Sequence, residues 1–316
     1  MQPDLAGTRA LVTGAAGFIG SSLVLALLET GAEVHALVRP GARHRLPGAR
    51  EVVPHEAHLR RAGDVARAFR TARPDVVFHL AAAGGHPGTA GEERVAMLQD
   101  TVSGTANLLA AAADVPPARL VHLGSFLEYG RLQRPAREDD RLAPETYRGA
   151  AKVAATMLVL QYALEAARSA TILRPYSVYG PREDPARFVP RAVQAALDGQ
   201  DLPLAVGPRR DFVYVDDVVD AMLLGASADL APGEIVNVGT GVGTANEELV
   251  EALIRVTGAE VRVRPGAFEQ RPWDTSSWVA DPSKAARLLG WRPAHTLEQG
   301  LEKTFDWFRS ERALAG

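Results

Sequence analysis

The sequence predicts an α/β fold: a doubly wound parallel sheet, followed by a smaller, mixed domain. Three observations predict it. Through residue 175, short β-branched and apolar runs alternate with longer helical patterns, as parallel strands covered by helices on both faces do. A glycine cluster, VTGAAGFIG, lies between the first strand and the first helix. Beyond Pro175 the texture changes: proline and glycine recur in GPREDP, LPLAVGPRR and APGE, and helices are spaced by loops.

The elements follow in order. Arg9–Thr13 reads as a strand, Phe18–Glu29 as a helix and Glu33–Val38 as a strand. A short strand is expected at 51–53, a helix at 63–71 and a buried strand at 75–80. A long helix is expected over 92–113, a strand over 120–124, a helix over 148–167 and a strand over 171–174. In the second half, 186–197, Asn246–Thr257, 282–289 and 297–309 read as helices.

Composition excludes several classes. Hydrophobic residues at 47% and charged residues at 23% are the balance of an ordinary globular chain of 316 residues. A net charge of -3 gives no electrostatic reason to expect nucleic acid as a partner. With no cysteine, disulfide frameworks and thiolate chemistry are out. MQPDLAGTRALVTG shows no basic and apolar leader, and no apolar run is long enough to span a bilayer. A cytoplasmic enzyme, with no membrane partner and no metal, is the expectation.

In VTGAAGFIG, Gly14, Gly17 and Gly20 flank Phe18 and Ile19 where a strand turns into a helix. Glycine lets the backbone turn tightly and approach a pyrophosphate, whose charge a helix N-terminus favours. The spacing is G-x-x-G-x-x-G, and its placement predicts a dinucleotide site. At the end of the second strand, an acid would bind the ribose hydroxyls of NAD. Here Arg39 stands there, with Arg43 and Arg45 behind it. A guanidinium suits a 2′-phosphate, so NADP(H) is favoured and NAD(H) stays possible. A solvated basic loop is the plainer alternative.

With these residues in hand, the chain resembles the extended short-chain dehydrogenase/reductase family, in its nucleotide-sugar epimerase, dehydratase and ketoreductase branch. The resemblance runs nearly end to end. It rests on VTGAAGFIG, FHLAA (78–82), GSFLEYG (124–130), LRPYSVYGPR (173–182), RDFVYVDDVVDA (210–221), NVGTG (237–241) and ADPSKAARLLGWRP (280–293). It implies a Rossmann-type cofactor domain over 1–175, with a return near 210–240, and a mainly substrate-binding domain over 176–316. It also implies roles. Leu80, Ala81 and Ala82 would line the cofactor, and Tyr176, Ser177 and Val178 would pass under the nicotinamide. Ser125 matches the catalytic Ser/Thr, a turn serine being the alternative. Arg210 and Arg271 match arginines that clamp the diphosphate or ribose of a nucleotide sugar, a chemistry that bidentate guanidinium contacts suit. An ion pair of Arg210 with Asp216 or Asp217 is the plainer reading of that residue. Asp216 and Asp217 themselves would cap the following helix. A homodimer is implied, packed through the helices at 92–113 and 148–167.

Departures narrow the chemistry. The Asp-Glu pair of 4,6-dehydratases is replaced by Phe126 and Leu127, which move no proton. Glu128 and Tyr129 make the pattern S-x-x-E-Y-G, which looks more like deoxysugar 4-ketoreductases. His58 falls where the family often has an Asp near the adenine, and Thr101 where an Asn is common.

The sharpest departure is PETYRGAAK (144–152). In the family a Tyr serves as acid/base, and the Lys four later binds the ribose and lowers the tyrosine pKa. Here Tyr147 and Lys152 are five apart, and Arg148 is the residue four before Lys152. On an α-helix, positions i and i+4 differ by about 40° around the axis, and i and i+5 by about 140°. Either a one-residue bulge swings Tyr147 onto the Lys152 face, or Arg148 holds the tyrosine position as a fixed cation. A third possibility is that Tyr147 merely packs at the start of the helix. The expected activity is NADPH-dependent reduction of the C4 ketone of an NDP-4-keto-6-deoxyhexose, expected to be dTDP-linked, with Ser125, Tyr147 and Lys152 catalytic. An NAD-dependent nucleotide-sugar epimerase, and a nucleotide-binding member without redox activity, are the alternatives.

Overall fold

The computed structural model describes residues 5–82, 91–207, 209–266 and 277–315. Its centre is a seven-stranded sheet, every ladder of which is parallel. The strands are β1 (Arg9–Thr13), β2 (Glu33–Val38), β3 (Val53–Glu56), β4 (Val76–His79), β5 (Arg119–Leu123), β6 (Ala170–Pro175) and a last strand, Glu234–Val238. Across the sheet the order is Glu234–Val238, β6, β5, β4, β1, β2, β3. β4 and β6 are buried at every residue, as strands covered on both faces must be.

Two apolar layers sandwich the sheet. On one face α1 (Phe18–Glu29) and the helix Val215–Ser227 pack with Val12, Phe78, Val121 and Leu173. On the other, α2 (Ala62–Ala72), α4 (Gly104–Asp114) and α5 (Tyr147–Glu165) cover Leu11, Val77, Leu120 and Ile172. Each fully buried side chain such as Phe78 contributes roughly 1.5–3 kcal/mol. A third core, with Val193, Leu204, Leu253 and Leu301, lies in the second half of the chain.

Two elements differ from the sequence expectation. The third strand runs over Val53–Glu56, later than expected, because this edge strand is half exposed and carries a weak apolar signal. The expected long helix is α3 (Glu92–Leu98), a π-helical turn at Gln99–Ser103, and α4. The order in which strands are added across the sheet reverses between β1 and β4. In open α/β sheets the crevice beyond the strand ends at such a point binds ligands. The phosphate-loop glycines and Leu80–Ala82 both emerge there.

Candidate active site

At the switch point the backbone itself is shaped for a ligand. Gly14 has φ +74°, and a Cβ there would lie 3.0 Å from the Ala81 nitrogen. A Cβ on Gly20 would lie 2.1 Å from the Gly14 oxygen, so the loop closes on α1 only if both are glycine. Gly17 caps α1 without a side-chain cap bond, and the first turn carries no acid. That leaves a helix N-terminus fitted to an anion.

The wall opposite the loop is held by a buried polar chain that sequence reasoning missed. Thr13 Oγ1 accepts from the Ala81 N–H at 3.1 Å and donates to His79 Nδ1 at 2.8 Å. His79 Nε2 donates to Thr105 Oγ1 at 2.9 Å, and Thr105 donates to the Thr101 carbonyl at 2.6 Å. Burial, and then the charge of Lys152, pull the His79 pKa down to about 3, so the ring is the neutral tautomer this chain requires. The chain fixes Leu80, Ala81 and Ala82 relative to β1. Its only sequence signal was the histidine in FHLAA. Arg39 follows β2 and is exposed, as are Arg43 and Arg45 in the turn behind it. A glycine cradle, an open helix N-terminus and exposed guanidinium groups fit a nicotinamide dinucleotide.

Ser125 follows β5. Its Oγ accepts from the Leu127 N–H at 3.2 Å, while Glu128 Oε1 accepts from the Ser125 N–H at 2.8 Å. The serine therefore caps a short 3₁₀ turn, Phe126–Glu128, and its hydroxyl proton stays available to another acceptor. Glu128 is fully buried and pairs with Arg174 at 2.9 Å. Arg174 also donates to the Tyr129 hydroxyl at 2.9 Å, which donates to Asn237 Oδ1 at 2.7 Å. The S-x-x-E-Y-G motif thus locks the ends of β5, β6 and Glu234–Val238 together.

The start of α5 bears on the readings of PETYRGAAK. Thr146 Oγ1 caps the helix, accepting from the Gly149 N–H at 3.0 Å, and α5 is regular from Tyr147 onward. The bulge needed to bring Tyr147 onto the Lys152 face is absent. Tyr147 is 54% exposed, and its ring lies under the Arg94 guanidinium at 3.9 Å. A regular helix turns the Tyr147 side chain away from Lys152. Arg148 is half-buried and lies on the inward face one turn before Lys152. Burial, and then the charge of Arg187, lower its pKa. Lys152 is buried and its Nζ donates to the Leu123 carbonyl at 2.5 Å. Burial, and then Arg148, bring its pKa down to about 8.

Tyr176 is buried after β6, donating its N–H to the Val238 carbonyl at 3.0 Å. Ser177 and Val178 belong to the strand Ser177–Tyr179, which pairs with Phe212–Tyr214. The Arg210 guanidinium stands 5.1 Å from the centroid of Trp278. Its neighbour Asp211 gathers Thr240, Gly241 and Ala280, accepting from the Thr240 N–H at 2.7 Å and the Ala280 N–H at 3.1 Å. Asp217 accepts from the Ala294 N–H at 3.0 Å and pairs with His295 at 2.8 Å. Neither Asp216 nor Asp217 is a helix cap: they lie inside Val215–Ser227, whose cap position is Tyr214. Arg271 falls outside the described residues. Among the described residues, no group of three His, Asp or Glu could hold a metal ion, and no helix is long and apolar enough to cross a membrane.

A glycine-cradled cofactor crevice, with a serine at the end of β5 and a lysine on α5 beside it, defines an extended short-chain dehydrogenase/reductase. The chain belongs to the NAD-dependent epimerase/dehydratase family, which it matches over residues 10–239. It is 35% identical to dTDP-6-deoxy-L-talose 4-dehydrogenase (NAD(P)(+)) of Kitasatospora kifunensis, over 95% of this chain and 96% of that one. To UDP-glucose 4-epimerase of Mycolicibacterium smegmatis it is 33% identical, over 96% and 99%. Among solved structures, UDP-glucose 4-epimerase of Thermotoga maritima with UDP-glucose superposes with a TM-score of 0.87 at 30% identity, covering 96% of this chain and 99% of that one.

Proposed function

We propose that this enzyme is an NADPH-dependent ketoreductase acting on the C4 ketone of a dTDP-4-keto-6-deoxyhexose. One observation carries the reading: the proton-transfer groups of the sister activities are replaced at 126, 127 and 148. Phe126 and Leu127 hold no acid for elimination. Arg148 holds the place on the Lys152 face, and a guanidinium keeps its proton at every working pH. An epimerase must first take a proton from the C4 hydroxyl, which Arg148 cannot do. A ketoreductase needs only a polarised carbonyl and a proton delivered to it. The likeness to a dTDP-6-deoxy-L-talose 4-dehydrogenase supports the same class of substrate.

In this reading residues 1–175, with the return near 210–240, bind the cofactor, and 176–316 mainly bind the sugar nucleotide. Gly14, Gly17 and Gly20, with Phe18 and Ile19, hold the pyrophosphate, and Arg39 takes the 2′-phosphate. Leu80 to Ala82, Tyr176, Ser177 and Val178 flank the nicotinamide. A reduced nicotinamide bound there supplies the hydride. Ser125 donates to the reacting oxygen, Arg148 stabilises the charge that develops on it, and a water positioned by Arg148 supplies the proton that completes the alcohol; such preorganised donors are usually the largest catalytic effect. Lys152 holds the ribose and keeps a second cation near that oxygen. Arg210 and Arg271 clamp the diphosphate. The exposed apolar residues Val95, Met157 and Leu164, on α3 and α5, suit a homodimer contact.

The test is direct. Purified protein is mixed with dTDP-4-keto-6-deoxyglucose and NADPH, with NADH in parallel, and loss of reduced-nicotinamide absorbance is followed. Sugar-dependent loss, faster with NADPH, is expected. Cofactor and sugar binding without turnover would sink the reductase and favour a member without redox activity.

A further inference from the structure

A nucleotide sugar that reacts at C4 lies between the nicotinamide and its own diphosphate. In this protein a run of ring contacts joins the segments assigned to those two ends. The Tyr176 and Phe126 rings stack at 5.4 Å with 22° between their planes. Phe126 meets Trp278 at 5.0 Å and 58°, and the Arg210 guanidinium stands 5.1 Å from Trp278. Tyr176 begins the segment assigned to the nicotinamide, and Arg210 is assigned to the diphosphate. In that reading the hexose lies along Phe126 and Trp278. Trp278 also lines a small cavity with Leu127 and Thr146, at the start of the helix that carries Arg148 and Lys152. Tyr176 is 4% exposed, whereas Phe126 and Trp278 each keep part of their surface open for a ligand to cover.

We propose that Phe126 and Trp278 are specificity-determining residues: they form an apolar wall that accepts a methyl group on the sugar C5 and disfavours a hydroxymethyl or carboxylate there. The inference rests on the nucleotide-sugar reading of the site, and not on the direction of its redox chemistry. A hydroxyl pressed against two ring faces loses its water partners and gains none, and a carboxylate loses more. A pocket of this kind discriminates by one hydroxyl by roughly 10- to 100-fold.

The experiment measures binding without turnover. The full-length protein is saturated with NADPH, which cannot react with an alcohol at C4. dTDP-6-deoxyglucose and dTDP-glucose are then titrated by calorimetry. The 6-deoxy sugar is expected to bind about 10- to 100-fold tighter. Phe126→Ser and Trp278→Gln should each narrow that ratio to within about threefold, and Trp278→Phe, which keeps an apolar ring, should preserve it. Circular dichroism melts confirm that each variant is folded. Equal binding of both sugars to the wild type would overturn the wall, as would a ratio unmoved in both folded polar variants. Failure of both sugars to bind would instead remove the nucleotide-sugar reading itself. An intact ratio without ketone reduction would remove the reductase and leave the wall standing.

Discussion

The phosphate loop and the start of α5 face the same crevice, and they depend on opposite features of the chain. In the loop the backbone binds and side chains are excluded. Gly14 and Gly20 are fixed by contacts of an absent Cβ, at 3.0 and 2.1 Å. At α5 the backbone is an ordinary helix, and the direction of each side chain decides everything. Around a helix one residue is about 100° of rotation. A loop site is thus specified by what fits, and a helix site by the count of residues. A shift of one position leaves the helix intact while exchanging a phenol for a guanidinium.

The largest effect expected from breaking this contrast is on the loop. Gly20→Ala forces a Cβ against the Gly14 carbonyl, so backbone must move. Overpacking of this kind costs about 1–3 kcal/mol, and NADPH affinity should fall by about 100-fold or more as the N–H groups lose their aim. Thermal melts and calorimetry read the two separately. An unchanged affinity would mean that the loop does not carry the pyrophosphate.

Next comes Lys152. Methionine fills similar space, so Lys152→Met should fold while turnover drops about 10²- to 10³-fold. The wild type should also lose activity above pH about 8, where the buried ammonium gives up its proton. The sign for stability is opposite. An unfolded lysine keeps its proton to about 10.5, so between about 8 and 10.5 the unfolded chain binds more protons and stability rises with pH. Arg148→Met removes the neighbouring cation that helps depress Lys152. It should move the alkaline limb to higher pH and cut turnover by about tenfold to 100-fold. A limb that stays in place would show that Arg148 does not face Lys152.

The same contrast explains what the sequence revealed. The sheet, the glycine loop and most helices were legible because each leaves a periodic or steric imprint on neighbouring residues. Arg148 was legible only as an alternative, because nothing in PETYRGAAK says whether a helix begins regularly. The cap from Thr146 and the regular first turn settle it. The Thr13–His79–Thr105 chain joins positions 66 and 26 residues apart, which no local pattern encodes. Glu128 could be noticed in its motif, yet its partner Arg174 lies 46 residues away. The π-helical turn at Gln99–Ser103 has no composition of its own and is a feature of the backbone alone.

A smaller effect is expected at Arg39, which is exposed and screened by solvent. Arg39→Asp exchanges a 2′-phosphate partner for a ribose-hydroxyl partner. The ratio of kcat/KM with NADPH to that with NADH should fall about tenfold or more, through KM rather than kcat. An unchanged ratio would return Arg39, Arg43 and Arg45 to the role of a solvated loop.

The smallest effect is expected where family resemblance alone would place the largest. Tyr147→Phe removes only a hydroxyl from a ring that is 54% exposed and lies under the Arg94 guanidinium. A cation over an aromatic face does not need that hydroxyl, since phenylalanine offers the same quadrupole. Turnover with NADPH and the keto sugar should stay within about twofold of wild type, as for most surface substitutions. A drop of 100-fold would mean that the first turn of α5 unwinds when substrate binds and carries the phenol across about 140° to the Lys152 face. In that case Arg148 would be the bystander, and Arg148→Met, in the same assay, would be nearly silent. The two substitutions, one residue apart, therefore have opposite expected outcomes, and together they identify which side chain meets the C4 oxygen.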